Sequence, residues 1–326
     1  MPPTACIILP YFGSLPEWFP LFLATCERNP TIRWLIYTDD PTPHHLPPNV
    51  GVERRSFKDY TGFAGNRLGI DLSAMPAYKL TDLKPFLGEI HAEELQGARY
   101  WGFGDMDVLY GNLERFLEGP VRRGANVITT HDRRVAGHFC LLRNTETFRR
   151  KCFAVSGWQM ELERPDHVSY DEFQFSTELF ALQRTFGRWY AFKWYRFVRS
   201  LGLDAALDRS FYAREAYTTP LSNVRWHDGS QFWEHPLEWE WTDGRLISVR
   251  DGVEVPYLHF MNYKSSKWLS ASIRLAVAEG YVAHPPPGCR FDEAPWAHLP
   301  RIVQAKGPPS ASPRRMTLGL AGITVE

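Results

Sequence analysis

The stretch Ala98-Arg-Tyr-Trp-Gly-Phe-Gly-Asp105-Met-Asp107-Val-Leu-Tyr-Gly-Asn-Leu113 decides how the rest of the chain is read. An apolar run, Tyr100 to Phe103, has the composition of a buried strand and opens into a loop that carries two carboxylates two residues apart. Alternate residues of an extended chain point the same way, so Asp105 and Asp107 can converge on one ion, or on one ion and a ribose. Hard oxygen donors suit Mg²⁺ or Mn²⁺. In open α/β sheets, ligands bind at the carboxyl ends of the strands, which is where this pair falls.

Working outward, the preceding segments alternate strand and helix. Residues 5–12, ACIILPYF, form a short buried strand, and 16–30, PEWFPLFLATCERNP, a helix stopped by Asn29-Pro30. A second strand, 31–40, runs into Asp39 and Asp40; a Pro- and His-rich loop and a weaker strand at 50–57 follow. The polar segment 59–76 has no clear assignment, and 81–95 is a helix with Thr81 as its cap. Further strands fall at 125–132 and 137–144, helices at 146–162 and 171–187, antiparallel strands at 236–260 with Asp-Gly turns, and a last helix at 266–280. This alternation predicts an α/β fold: a mixed, mainly parallel sheet flanked by helices, with a small antiparallel C-terminal elaboration. One domain over 1–300 is expected, and the Pro/Ser-rich 301–326 reads as a disordered tail.

Composition narrows the function. Lys+Arg and Asp+Glu both number 37, giving zero formal net charge, so the electrostatic footprint of a nucleic-acid binder is missing. Aromatics are 14% of the 326 residues, enough to supply both core and sugar-stacking faces. The N-terminus lacks a leader pattern and no run is long enough to span a bilayer, so the chain reads as cytoplasmic, with at most peripheral membrane contact. Five scattered cysteines without a CxxC pair argue against a zinc site or disulfide framework; Cys6 and Cys140 are expected in the core.

Taken in order, ILPYFG, LIYTDD, YKLTDLKPFLGEI, GFGDMDVLYGNL, GHFCLLRN and LHFMNYKSSKW resemble the motifs of GT-A type glycosyltransferases, over about residues 4–282. The resemblance is to bacterial polysaccharide transferases, including a DUF6625-like group, with motifs similar to those of glycosyltransferase families 8 and 32. It implies a GT-A (Rossmann-like) fold, a nucleotide-diphosphate sugar as donor with a UDP-sugar favoured, Mn²⁺ or Mg²⁺, and a glycan, lipid-linked or small-molecule acceptor. Residues 1–130 become a nucleotide-binding half and 131–300 an acceptor-side half.

The resemblance also implies roles. Pro10, Tyr11 and Asp39, at two strand ends, face the nucleotide; Lys79, Asp82 and Lys84 match a polar helix turned toward it, with Lys84 on a phosphate or Asp82 on sugar hydroxyls. His259 completes the shell of Asp105 and Asp107, and Lys264 or Lys267 touches the diphosphate, although the Gly and Pro usual in that segment are missing. Gly137, His138 and Asn144 line the sugars. Asp171 and Glu172, at a helix start, match the general base of inverting enzymes, whereas the LHF…K segment hints at retention. Two alternatives remain: a nucleotidyltransferase making nucleotide sugars, against which ILPYFGSLPEW lacks a glycine-rich basic loop, and a non-catalytic sugar-binding protein on a transferase fold.

Overall fold

The computed structural model describes residues 4–16, 18–41, 45–131, 134–180, 211–213, 219–220, 238–261, 302–305, 314–319 and 322–325. In chain order the strands begin with β1 (Ala5–Pro10), β2 (Ile32–Thr38), β3 (Val50–Arg54), β4 (Tyr100–Gly104), β5 (Val108–Tyr110), β6 (Val127–Thr129), β7 (Phe139–Arg143) and β8 (Phe211–Ala213). They continue with β9 (Trp239–Thr242), β10 (Arg245–Ser248), β11 (Glu254–Val255), β12 (Tyr257–His259), β13 (Ile302–Ala305), β14 (Arg315–Gly319) and β15 (Gly322–Val325). The helices are α1 (Phe19–Glu27), α2 (Phe57–Leu68), α3 (Leu87–Ile90), α4 (Leu113–Arg123), α5 (Glu146–Arg149), α6 (Trp158–Glu163) and α7 (Ser176–Leu179). A 3-10 segment covers Ala77–Phe86 and a π turn covers Asp171–Phe175.

The chain forms two compact units from interleaved segments: 1–15, 30–105 and 117–215 in one, 16–29, 106–116 and 216–326 in the other. The first holds a seven-stranded sheet in the order β3-β2-β1-β4-β7-β6-β8. Strands β3 to β4 run parallel, β7 is antiparallel to both neighbours, and β6 and β8 are parallel again. The expected mixed, mainly parallel α/β sheet is therefore present. Its core sets sheet residues such as Ile8, Leu35 and Phe103 against helical Leu83, Phe86 and Leu87.

The unassigned segment 59–76 hides α2, because its core face is carried by Tyr60, Ala64 and Leu68 amid polar residues. Ser56 caps it by accepting from the Asp59 amide, and Gly69 ends it. The helix expected over 81–95 begins as a 3-10 segment without a side-chain cap and is α-helical only at Leu87–Ile90; Pro85 inside the 3-10 segment removes a backbone donor, and Thr81 bonds the Tyr78 carbonyl. The expected helix 146–162 is broken into α5, a 3-10 turn and α6, with Gly157 at a positive φ of 76°.

The second unit contains a six-stranded sheet, β11-β10-β9-β14-β15-β13, and the two-stranded β12-β5 ladder. Its β9–β10 hairpin turns at Asp243-Gly244, whose φ values of 48° and 87° need residues tolerant of the left-handed region. The tail expected to be disordered supplies β13 to β15. Met316 pairs with Trp241 and Leu318 with Trp239, all four buried, so alternate apolar residues in a polar, Pro/Ser-rich context suffice for a hairpin inside the sheet. Asn29, read as a helix stop, is fully buried: its amide donates to the Thr25 and Gly111 carbonyls and its oxygen accepts from the Leu113 amide, tying α1 to the loop after β5. The helix predicted at 266–280 lies outside the described residues.

Candidate active site

The first unit gathers charged groups at the end of β4. Asp105 continues the β4–β7 ladder through its amide, which donates to the His138 carbonyl at 3.3 Å. Lys84, buried on the 3-10 segment, donates from Nζ to Asp105 Oδ1 at 2.6 Å and to the Gly137 carbonyl at 3.0 Å, and lies 3.9 Å from Asp171 Oδ2. An added Cβ at Gly137 would stand 2.5 Å from Asp171 Oδ2, so this carboxylate needs a glycine beneath it. Burial chiefly pushes the Asp171 carboxyl up to about 7; Lys84 opposes that shift, while Glu172 and Asp105 add to it. The neighbouring Glu172 is held differently: Oε2 accepts from Arg134 at 2.6 Å in a part-exposed pair. Adjacent acids with different environments are the pattern by which one becomes a proton acceptor near neutral pH.

The second unit gathers Asp107, His259 and Thr219. The β5–β12 register sets His259 opposite Val108, and the Phe260 amide donates to the Asp107 carbonyl at 3.0 Å. This ladder carries the imidazole to Asp107: Nε2 lies 3.5 Å from Oδ2, with the two side chains 6% and 8% exposed. Nδ1 shares a 3.1 Å hydrogen bond with Thr219 Oγ1, which fixes the ring. Trp18 donates from Nε1 to the Met106 carbonyl and packs edge-on against Phe260, giving this site an apolar wall.

The remaining expected residues are placed as follows. The Tyr11 amide donates to the Tyr37 carbonyl at the end of β1 beside Pro10. Asp39 is exposed and accepts from the Gly13 amide at 2.7 Å, while buried Asp40 accepts from the Leu15 amide at 2.6 Å; together they hold the loop after β1. His138 is buried, with its ring edge-on to His131. Asn144 donates to the Leu95 and Ala98 carbonyls and accepts from Arg149, holding the turn after β7. Lys79 and Asp82, expected on a polar helix turned toward the nucleotide, have fully buried side chains paired with each other at 2.9 Å. Lys264 and Lys267 lie outside the described residues. Sequence reading missed Thr219 and Arg134. Neither carries a local signal, because a threonine or arginine that orients another side chain has no fixed spacing from it.

The four described cysteines are buried, and Cys6 and Cys140 are core thiols as expected. Among the described residues no helix is long and apolar enough to cross a membrane.

The chain belongs to DUF6625, a family of unknown function, which it matches over residues 7–272. No curated protein matches it. Among solved structures, the galactosyltransferase LgtC in complex with donor and acceptor sugar analogues is similar at 13% identity and a TM-score of 0.32, over 54% of this chain and 70% of that one.

Proposed function

We propose that this chain is a metal-dependent glycosyltransferase that moves a sugar from a nucleotide-diphosphate donor, with a UDP-sugar favoured, to a hydroxyl of a glycan, lipid-linked or small-molecule acceptor. The observation that carries the reading is the 3.5 Å approach of His259 Nε2 to Asp107 Oδ2, two residues far apart in the chain that sequence reading expected as co-ligands. The donor set fits a divalent ion: Asp107 supplies hard oxygen, His259 an imidazole nitrogen oriented through Thr219, and Asp105 a second carboxylate two residues before Asp107. Asp105, Asp107 and His259 would hold Mn²⁺ or Mg²⁺. Such an ion, when bound, supplies Lewis-acid stabilisation of the departing nucleoside diphosphate.

The chain's own groups have distinct tasks in this reading. Asp171, with its carboxyl near 7, takes the proton of the acceptor hydroxyl in an inverting reaction; Glu172, paired with Arg134, orients substrate. Lys84 neutralises and aims Asp105 rather than meeting a phosphate first, since Asp105 is its 2.6 Å partner. Pro10, Tyr11 and Asp39 border the nucleotide, Lys264 or Lys267 the diphosphate, and Gly137 and His138 the sugars. Calorimetry of UDP with and without Mn²⁺, followed by hydrolysis assays over a panel of nucleotide sugars, tests this. Metal-dependent UDP affinity is expected, and equal affinity with and without Mn²⁺ for every nucleotide tried would overturn it.

A further inference from the structure

Within the first unit, the segment leading into Asp171 is wrapped around a buried carboxylate. Asp82 Oδ2 accepts from Lys79 Nζ at 2.9 Å and from the Val168 amide at 3.0 Å. Asp82 Oδ1 accepts from the Tyr170 amide at 2.9 Å and lies 3.0 Å from His167 Nδ1. Lys79 Nζ donates further to the carbonyls of Glu161 and Asp166, each at 2.7 Å. Apart from the Lys79–Asp82 pair itself, these partners run from Glu161, inside α6, to Tyr170, which immediately precedes Asp171 at the start of the π turn. Inside that stretch Ser169 adopts φ 51°, a left-handed conformation that is costly for a residue with a Cβ and persists only where surrounding contacts impose it. The π turn that follows is a rare geometry, common at functional sites.

We propose that Asp82, with Lys79 as its buried counter-ion, is a positioning residue: it fixes the backbone of Val168–Tyr170 so that Asp171 is delivered beneath Gly137, and it does not contact the nucleotide. The reason is occupancy and burial. The Asp82 carboxylate has four internal partners and no exposure, so a sugar hydroxyl could reach it only by displacing one of them. The ordering is local, since the 3-10 segment also carries Lys84, which grips the Gly137 carbonyl. One short element thus fixes both the loop that bears Asp171 and the strand entrance that Asp171 packs against. Asp82, His167 and Ser169 also stand in the hydrogen-bond order of a hydrolytic triad, with His167 Nε2 3.0 Å from Ser169 Oγ. That reading fails because the Tyr170 amide, the first donor an oxyanion at Ser169 would meet, is bonded to Asp82, and Lys79 neutralises the carboxylate.

This inference rests on the proposed transferase activity for its kinetic consequence and on the structure alone for its conformational one, and the test reads both. Full-length Asp82→Asn is compared with wild type by amide hydrogen exchange, by Mn²⁺-dependent UDP calorimetry, and by turnover of UDP-glucose and UDP-galactose. Expected are faster exchange confined to residues 166–175 with β1 and β2 unchanged, UDP affinity and donor KM within about twofold, and kcat lowered roughly 100-fold, the scale of a misplaced reacting group. Raised KM and weakened UDP affinity with unaltered local exchange would make Asp82 a nucleotide contact and overturn the proposal. A uniform rise in exchange, with kcat of the folded fraction unchanged, would overturn it in favour of a purely structural pair. If Asp82→Asn does not fold, His167→Ala, which removes one part-exposed partner, is expected to give the same local pattern at smaller amplitude. Wild type lacking both turnover and Mn²⁺-dependent UDP binding would defeat the transferase reading, and the exchange pattern would then decide the positioning claim by itself.

Discussion

The two groups of candidate site residues are built by opposite means. In the first unit, Asp105, Lys84, Asp171 and Gly137 are drawn together by charge and close packing between a 3-10 segment, two strand ends and a π turn. In the second unit, Asp107 and His259 are set beside one another by backbone pairing, since β5 and β12 fix which residues stand opposite. A site made by register is tolerant of side-chain loss, because the ladder survives it. A site made by ion pairs is not, because removing one charge leaves its buried partner uncompensated. Five measurements bear on that contrast.

The largest effect is expected from Asp107→Ala. Turnover and metal-linked UDP affinity should fall by roughly 10³-fold, the scale of deleting a preorganised electrostatic contact, while melting stays near wild type because the ladder remains. A large loss of stability would show that the second group also depends on its charges.

Truncation before residue 306 should remove β14 and β15 and uncover Trp239 and Trp241. The loss of buried Met316 and Leu318 alone corresponds to about 2–5 kcal/mol each, read as a lowered denaturation midpoint. An unaltered midpoint would mean that these strands are dispensable.

Gly137→Ala sharpens the first-unit side. Its Cβ would displace the Asp171 carboxylate from a 2.5 Å approach, costing about 1–3 kcal/mol of stability and roughly 100-fold in turnover, with Mn²⁺–UDP affinity retained. Equal loss of binding and turnover would place Gly137 in the donor site instead.

His259→Ala should weaken Mn²⁺ affinity by roughly 10- to 100-fold, and Thr219→Val, which only frees the ring, should fall at the lower end of that range. Titration of Mn²⁺ binding together with a melting curve on each variant separates ligand loss from core damage.

The smallest effect is a slope. Asp171 holds its proton to about 7 when folded against 3.8 ordinarily, so the folded state binds more protons than the unfolded one across that window. Stability contributed by the protonated carboxyl is therefore present at low pH and lost as pH rises toward 7. Asp171→Asn should flatten this, gaining on the order of 2 kcal/mol relative to wild type between pH 5 and pH 7 in denaturant unfolding. Parallel pH profiles for the two proteins would return Asp171 to an unexceptional carboxylate.

The contrast also explains what was legible in the sequence. Strand ends and their alternation were readable from apolar runs such as those before GFGDMD and around YLHF, whereas His259 was linked to Asp107 by the family resemblance; the β5–β12 ladder sets the two side chains 3.5 Å apart. The mainly parallel sheet followed from the same runs. The burial of the Lys79–Asp82 pair, which was expected on a polar helix turned toward the nucleotide, was not legible because charge in a sequence says nothing of whether the loop around 161–170 closes over it. Thr219 and Arg134 were invisible for the same reason. The strands of the tail were not legible because its Pro/Ser composition outweighs the apolar residues Met316, Leu318, Ile323 and Val325 that they bury.

The interleaving of the two units has a consequence for how the protein can be made. The polypeptide passes from one unit to the other five times, and one passage falls between Asp105 and Met106, inside the acidic motif. No cut in the chain releases either unit as a continuous fragment. The second unit's larger sheet needs β13 to β15, all beyond residue 301, so during ribosomal synthesis β9 must wait unpaired on one side while the parallel strands of the first unit are already complete. Nascent chains stalled near residue 300 should therefore expose Trp239 and Trp241 to chaperones, and attempts to swap either unit between relatives will have to exchange at least three separate segments.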